Sequence, residues 1–183
     1  MRAAMRVSVA VLLGLGAATA ALAAEEPAVD KAQVDAIAPI AWMAGEWRGE
    51  ATMQRPEGAS RTASWERVIL AAGGTALLVQ GRHHRIEADG KPGEAVHDTA
   101  GLLVYRPKLG KHVFMTQLAN GRGGEFDARV EGEKLIWGMP AGPGQQIRYE
   151  IQRNAAGQWV EDGFFCRGDA CQPFFKMTLS RQP

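Results

Sequence analysis

The chain has 183 residues, 46% of them hydrophobic and 22% charged, with 21 Lys and Arg against 20 Asp and Glu. That length suits one domain with a sizeable core. The two signs of charge are interspersed with no basic block, which argues against nucleic acid as a partner.

The first segment reads as a targeting signal. Arg2 and Arg6 precede an apolar run from Val7 to about Ala23, and Ala21-Leu22-Ala23 fits a small-x-small cleavage site. Residues 1–23 are therefore expected to be a secretory signal peptide, and residues 24–183 a single barrel domain. A retained membrane anchor is the rival reading, but the run is short and its end is rich in Ala. No Cys lies near the cleavage site for lipid attachment. Cleavage leaves 19 basic residues against 20 acidic ones, a formal charge of −1, and no second run long enough to span a membrane. The expected location is the periplasm or the extracellular space.

Residues 24–29 read as a linker. Asp30 is placed to cap a short helix, with Gln33 three residues on; Val34, Ile37 and Ile40 have helical spacing, and Pro39 limits its regular extent. The spacing predicts one helix over 30–40, lying across one mouth of a barrel. From Glu46 the pattern changes to a period of two. Trp47, Gly49, Ala51 and Met53 alternate with Glu46, Arg48, Glu50 and Thr52, which predicts a strand over 45–54 with one wet and one buried face.

Strands and turns follow to the end of the chain. Predicted strands cover 60–71, 75–88, 96–106, 111–119, 123–130, 134–139, 145–153, 158–166 and 173–181. They are punctuated by Gly73-Gly74, Asp89-Gly90, Pro107 with Gly110, Asn120-Gly121, Gly132, a Gly/Pro loop over 140–144, and Asn154 to Gly157. Ten consecutive short-turn strands make an antiparallel meander, and closing it into an up-and-down barrel removes its exposed edges. The fold class is all-β, with one short N-terminal helix.

Cys166 and Cys171 are the only cysteines and bracket Arg167-Gly168-Asp169-Ala170. In an exported protein a local disulfide closing this hairpin is the favoured reading. A metal or redox pair is the alternative; the spacing is not Cys-x-x-Cys and no second pair exists.

Gly45-Glu46-Trp47-Arg48-Gly49-Glu50 resembles the G-x-W-x-G opening strand of the calycin barrels, which include lipocalins, fatty-acid-binding proteins and nitrobindins. Three later pieces are similar to the same families in order: Ala72-Gly73-Gly74 after Trp65-Glu66, Gly101 to Lys108, and Lys176 to Arg181. The resemblance implies that a basic residue of the last strand, here Arg181, stacks on the first-strand Trp47 as a structural pair. It also implies haem binding through a His near the start of the last strand in nitrobindin-like members. This chain has Gln172-Pro173-Phe174-Phe175 there, so no cofactor is expected by that route.

The remaining residues point to few chemistries. The histidines are His83, His84, His97 and His112. Strand neighbours face opposite ways, so His83 and His84 do not ligate one metal from an unbulged strand, and no metal site is assigned. The serines lack a G-x-S-x-G context, and no Gly-rich loop precedes a helix, so no catalytic residue is assigned and nucleotide binding is not expected. Glu66 and Arg82 could enter a cavity, but an outer-face charge pattern is the favoured reading. The favoured function is burial of a small apolar or amphipathic molecule inside the barrel, with Met53, Trp65, Tyr105, Met115, Trp137 and Tyr149 as pocket residues. A barrel enzyme with His84, His97 or His112 as acid/base is the second class. A third is an envelope interaction module with a filled interior.

Overall fold

Alternation becomes closure in the computed structural model, which describes residues 28–183; the expected signal peptide, residues 1–23, lies outside them. Ten strands follow in chain order: β1 (Gly45–Arg55), β2 (Gly58–Ala71), β3 (Ala76–Ile86), β4 (Pro92–Arg106), β5 (Lys111–Leu118), β6 (Gly123–Glu131), β7 (Lys134–Gly142), β8 (Gln145–Arg153), β9 (Trp159–Arg167) and β10 (Ala170–Arg181). Each pairs antiparallel with the next, and β1 also pairs with β10, so the sheet closes into a ten-stranded barrel. No free edge is left among these strands. No helix of the described residues is long and apolar enough to cross a membrane.

The seam between β1 and β10 shows why the opening strand carries glycine. In its register Trp47 faces Arg181 and Gly49 faces Leu179. A Cβ on Gly49 would stand 2.1 Å from the Thr178 carbonyl oxygen, so only a residue without a side chain lets the two backbones approach this closely.

The helix is shorter than expected, and its continuation differs. α1 spans Lys31–Ile37, capped by Asp30, whose Oδ1 accepts from the backbone N–H of Ala32 (3.0 Å) and Gln33 (3.2 Å). Pro39 brings no N–H to an α-helical ladder, and the chain continues as a 3₁₀ helix over Ala38–Met43. This whole segment closes one end of the barrel. Ile37, Ile40 and Met43 are buried. The Trp42 indole donates to the Glu133 carbonyl in the β6–β7 turn (3.0 Å), and His112 Nε2 of β5 donates to the Ala36 carbonyl (2.9 Å). Beneath the plug, Trp42, Trp47 and Trp159 meet edge to face with centroids 5.7–6.0 Å apart.

At the other end, Cys166 and Cys171 face each other across the β9–β10 hairpin and are joined by a disulfide. That pairing draws the start of β10 back to Ala170, ahead of the expected 173. The expected loop after β1 contracts to Pro56 and Glu57.

Candidate functional site

The interior is hollow. A cavity of about 810 Å³ runs from a floor of Met43, Ala51 and Trp159 to a mouth at the end opposite the helix. Parity along each strand decides what lines it. Residues of one parity point in, so β1 contributes Ala51 and Met53, β8 Ile147, Tyr149 and Ile151, and β10 Phe175 and Met177.

Glycine makes the room in two places. A Cβ on Gly101 would stand 2.6 Å from the Phe114 ring, and one on Gly81 would stand 2.7 Å from both carboxyl oxygens of Glu66. The wall around Trp137 is aromatic. Its indole stacks on Tyr149 with centroids 4.8 Å apart and a 23° tilt, and meets Phe114 edge to face at 5.0 Å.

Of the expected pocket residues, Met53, Trp137 and Tyr149 line this cavity. Trp65, Tyr105 and Met115 do not. Trp65 lies on the outer face of β2, where its indole N–H donates to Glu46 (2.9 Å). The inward set of β2 is the polar one, Thr62, Ser64 and Glu66. Met115 points outward because Phe114, Thr116 and Leu118 hold the inward positions of β5. Tyr105 shares the parity of Leu103 but sits at the plugged end, packed on His112 with centroids 5.0 Å apart. The pair assigned to the seam stands with the Arg181 guanidinium 5.4 Å from the Trp47 ring, and Trp47 Nε1 donates to the Met43 carbonyl (2.8 Å).

The interior also holds a polar cluster that the sequence reading assigned elsewhere. Glu66 points inward and is 7% exposed; Arg82 is the outer residue, paired with Asp98 at 2.6 Å. Glu66 Oε1 lies 2.9 Å from His83 Nε2, and the His83 ring packs at 5.0 Å on that of His97, its partner across the β3–β4 ladder. His84 faces outward and binds the Gly93 carbonyl, and His112 serves the helix, so neither joins the cluster. Glu161 enters from β9 and keeps part of its surface, which faces the cavity.

Burial sets the protonation of these groups. It pushes the Glu66 carboxyl up to about 8. It does the same to Glu161, also to about 8, with the charge of Glu66 adding to the effect. It presses His83 and His97 down to about 4, helped by neighbouring imidazoles. The Tyr149 hydroxyl is raised, first by burial and then by Glu161. Near neutral pH the cluster is thus two protonated carboxyls and two neutral imidazoles, hydrogen-bonding but uncharged. Trp159 Nε1 lies near enough to Glu161 to favour its carboxylate, yet not in hydrogen-bond geometry; it and Trp137 Nε1 are buried without a partner.

Positive charge is confined to the mouth. Arg55, Arg61, Arg85 and Arg122 border it. Arg61 pairs with Glu50, Arg85 with Glu94 and Arg55 more loosely with Glu57, while Arg122 makes no ion pair among the described residues. No group of three or more His, Cys, Asp or Glu among the described residues has a geometry that would hold a metal ion. β10 sends Phe175 into the cavity.

No protein-family model matches the chain, and no curated protein matches it. Among solved structures it is similar to Rv2717c from M. tuberculosis, at 19% identity over 82% of this chain and 98% of that one, with a TM-score of 0.55. It is also similar to the S-type phycobiliprotein lyase CPES from Guillardia theta, at 10% identity over 86% of this chain and 99% of that one, with a TM-score of 0.54. At these identities the likeness is one of architecture alone, a ten-stranded antiparallel barrel.

Proposed function

We propose that this is an exported barrel that holds one small apolar or amphipathic molecule in its interior. The observation that carries the reading is the cavity of about 810 Å³, open at one end, with mostly apolar and aromatic walls and a few convergent polar groups. That size and lining match those of pockets that enclose drug-sized ligands. Apolar burial supplies the affinity and the polar cluster sets the orientation. Export is supported by the signal-like residues 1–23 and by the Cys166–Cys171 disulfide, which persists in oxidising compartments. A filled interaction module has no support from this interior.

The test is a UV–visible spectrum, with native and denaturing mass spectra, of protein purified from a periplasmic preparation. The expected result is a co-purifying mass present in the native spectrum and lost on denaturation. An empty barrel with no thermal shift across fatty acids, tetrapyrroles and apolar ketones would overturn the reading.

One observation favours a second reading, acid–base catalysis. The His83–Glu66 pair and His97 face the cavity, where an imidazole beside a carboxyl is placed to move protons. Deuterium exchange at the α-carbon of a bound apolar ketone in D₂O, read by mass spectrometry, distinguishes it from passive binding. Exchange by the wild type that is lost in His83→Gln would support it; no exchange above solvent background would remove it.

A further inference from the structure

The cavity's unmet hydrogen bonds say more about its occupant than its walls do. Trp137 and Trp159 both line it, and the Nε1 of each is buried with no acceptor. Trp159 as a residue is only 2% exposed. Buried N–H groups are paired in the great majority of native structures, because an unpaired one forfeits its hydration without return. Glu161 stands close to the Trp159 indole N–H without reaching hydrogen-bond geometry, and when protonated its O–H adds a third donor to the same space. The lower half of the cavity therefore presents donors in search of an acceptor.

We infer, on the footing of the binding reading above, that the bound molecule presents an uncharged acceptor oxygen of carbonyl type to the indole N–H groups of Trp137 and Trp159 and to the Glu161 carboxyl. Charge selects among the possible head groups. A carboxylate would bring its own charge into a site whose carboxyls and imidazoles are uncharged, and the cavity's four arginines are all at the mouth, so no positive charge at depth balances it. An ammonium would find the carboxyls and the aromatic faces, but it carries no acceptor and would leave both indole N–H groups unmet. A carbonyl oxygen can take the place of a hydrating water at these groups without losing the water's acceptor role. A hydrocarbon of the same shape cannot.

The experiment uses the full mature protein and four naphthalenes of similar size: 2-acetonaphthone, 2-ethylnaphthalene, 2-naphthoate and 2-(2-naphthyl)ethylamine. Affinities are measured by isothermal titration at pH 6.5. The ketone is expected to bind tightest, about tenfold tighter than the hydrocarbon. Trp137→Phe and Trp159→Phe keep the aromatic wall and delete one donor each. Each is expected to reduce the ketone preference about threefold while leaving hydrocarbon affinity unchanged; because Trp159 is part of the floor, Trp137→Phe decides the matter if Trp159→Phe does not fold. A hydrocarbon that binds as well as the ketone overturns this inference and leaves the binding reading standing. So does a carboxylate or amine that binds tightest, or a ketone preference unchanged in the folded Trp variants. Failure of all four to bind also overturns this inference, while the binding reading stands or falls on the co-purification and thermal-shift test above.

Discussion

Glu66, Glu161, His83 and His97 titrate in opposite senses, and this gives the fold a pH signature. Both carboxyls have folded values of about 8 against an ordinary value of 4.5, so their stabilising contribution is complete below 4.5 and lost as the pH rises through 8. Both imidazoles have folded values of about 4 against 6.5, so theirs is present above 6.5 and lost as the pH falls through 4. Between 4.5 and 6.5 the two slopes oppose. Between 6.5 and 8 only the carboxyls act, and stability falls. The midpoint of thermal unfolding is expected to be nearly flat over the first window and to drop by several degrees over the second. Glu66→Gln with Glu161→Gln should abolish the drop. A wild-type curve level from 6.5 to 8 would show that the carboxyls titrate normally.

This cluster was also the least legible part of the sequence. An apolar-in rule turned Trp65 inward and Glu66 outward, because it assumes a packed interior; beside a cavity the inward parity of β2 carries Thr62, Ser64 and Glu66. His83 and His97 become partners through the β3–β4 register, which depends on where the ladder is bulged and not on spacing alone. The signal that was present is Gly81: a glycine in mid-strand marks a close approach, here by the Glu66 carboxyl.

Strands were more readable than side-chain roles. The period of two, the Gly-rich turns and the stop imposed by Pro39 all survive in the structure, with shifts at the ends where pairing extends a strand. The pattern pointed to close backbone approach at Gly49 but could not reveal which backbone, since that neighbour sits on β10. Gly49→Ala would drive a Cβ against the Thr178 carbonyl, which belongs to backbone and cannot swing aside. A loss of about 1–3 kcal/mol in urea unfolding is expected, through strain at the closing seam; a change under 0.5 kcal/mol would show that the seam yields freely. The β9–β10 disulfide spans only five residues in sequence, so its loss should be milder in reach. Reduction, or Cys166→Ser with Cys171→Ser, is expected to cost about 2 kcal/mol or less and to leave the far-ultraviolet circular dichroism unchanged. Loss of the β-sheet signal at room temperature would mean that this bond does more than hold one hairpin.

At the scale of the molecule, closure of the barrel was inferable because ten consecutive strands with short turns have few other ways to hide two edges. Hollowness was not. It depends on Gly81 and Gly101 facing inward and on how far large side chains such as Trp137 reach across, which are properties of assembled rings of residues rather than of any one strand.

The plug built by α1 and the 3₁₀ turn makes the barrel a blind-ended sleeve, and that constrains traffic. On the proposed binding reading, a guest would have to enter and leave by the same door, leading end first, with its trailing end left among the arginines of the rim. A bait coupled to a resin through its trailing end should therefore still be captured, whereas the same bait coupled through its leading end should be refused, even though the two differ only in the point of attachment.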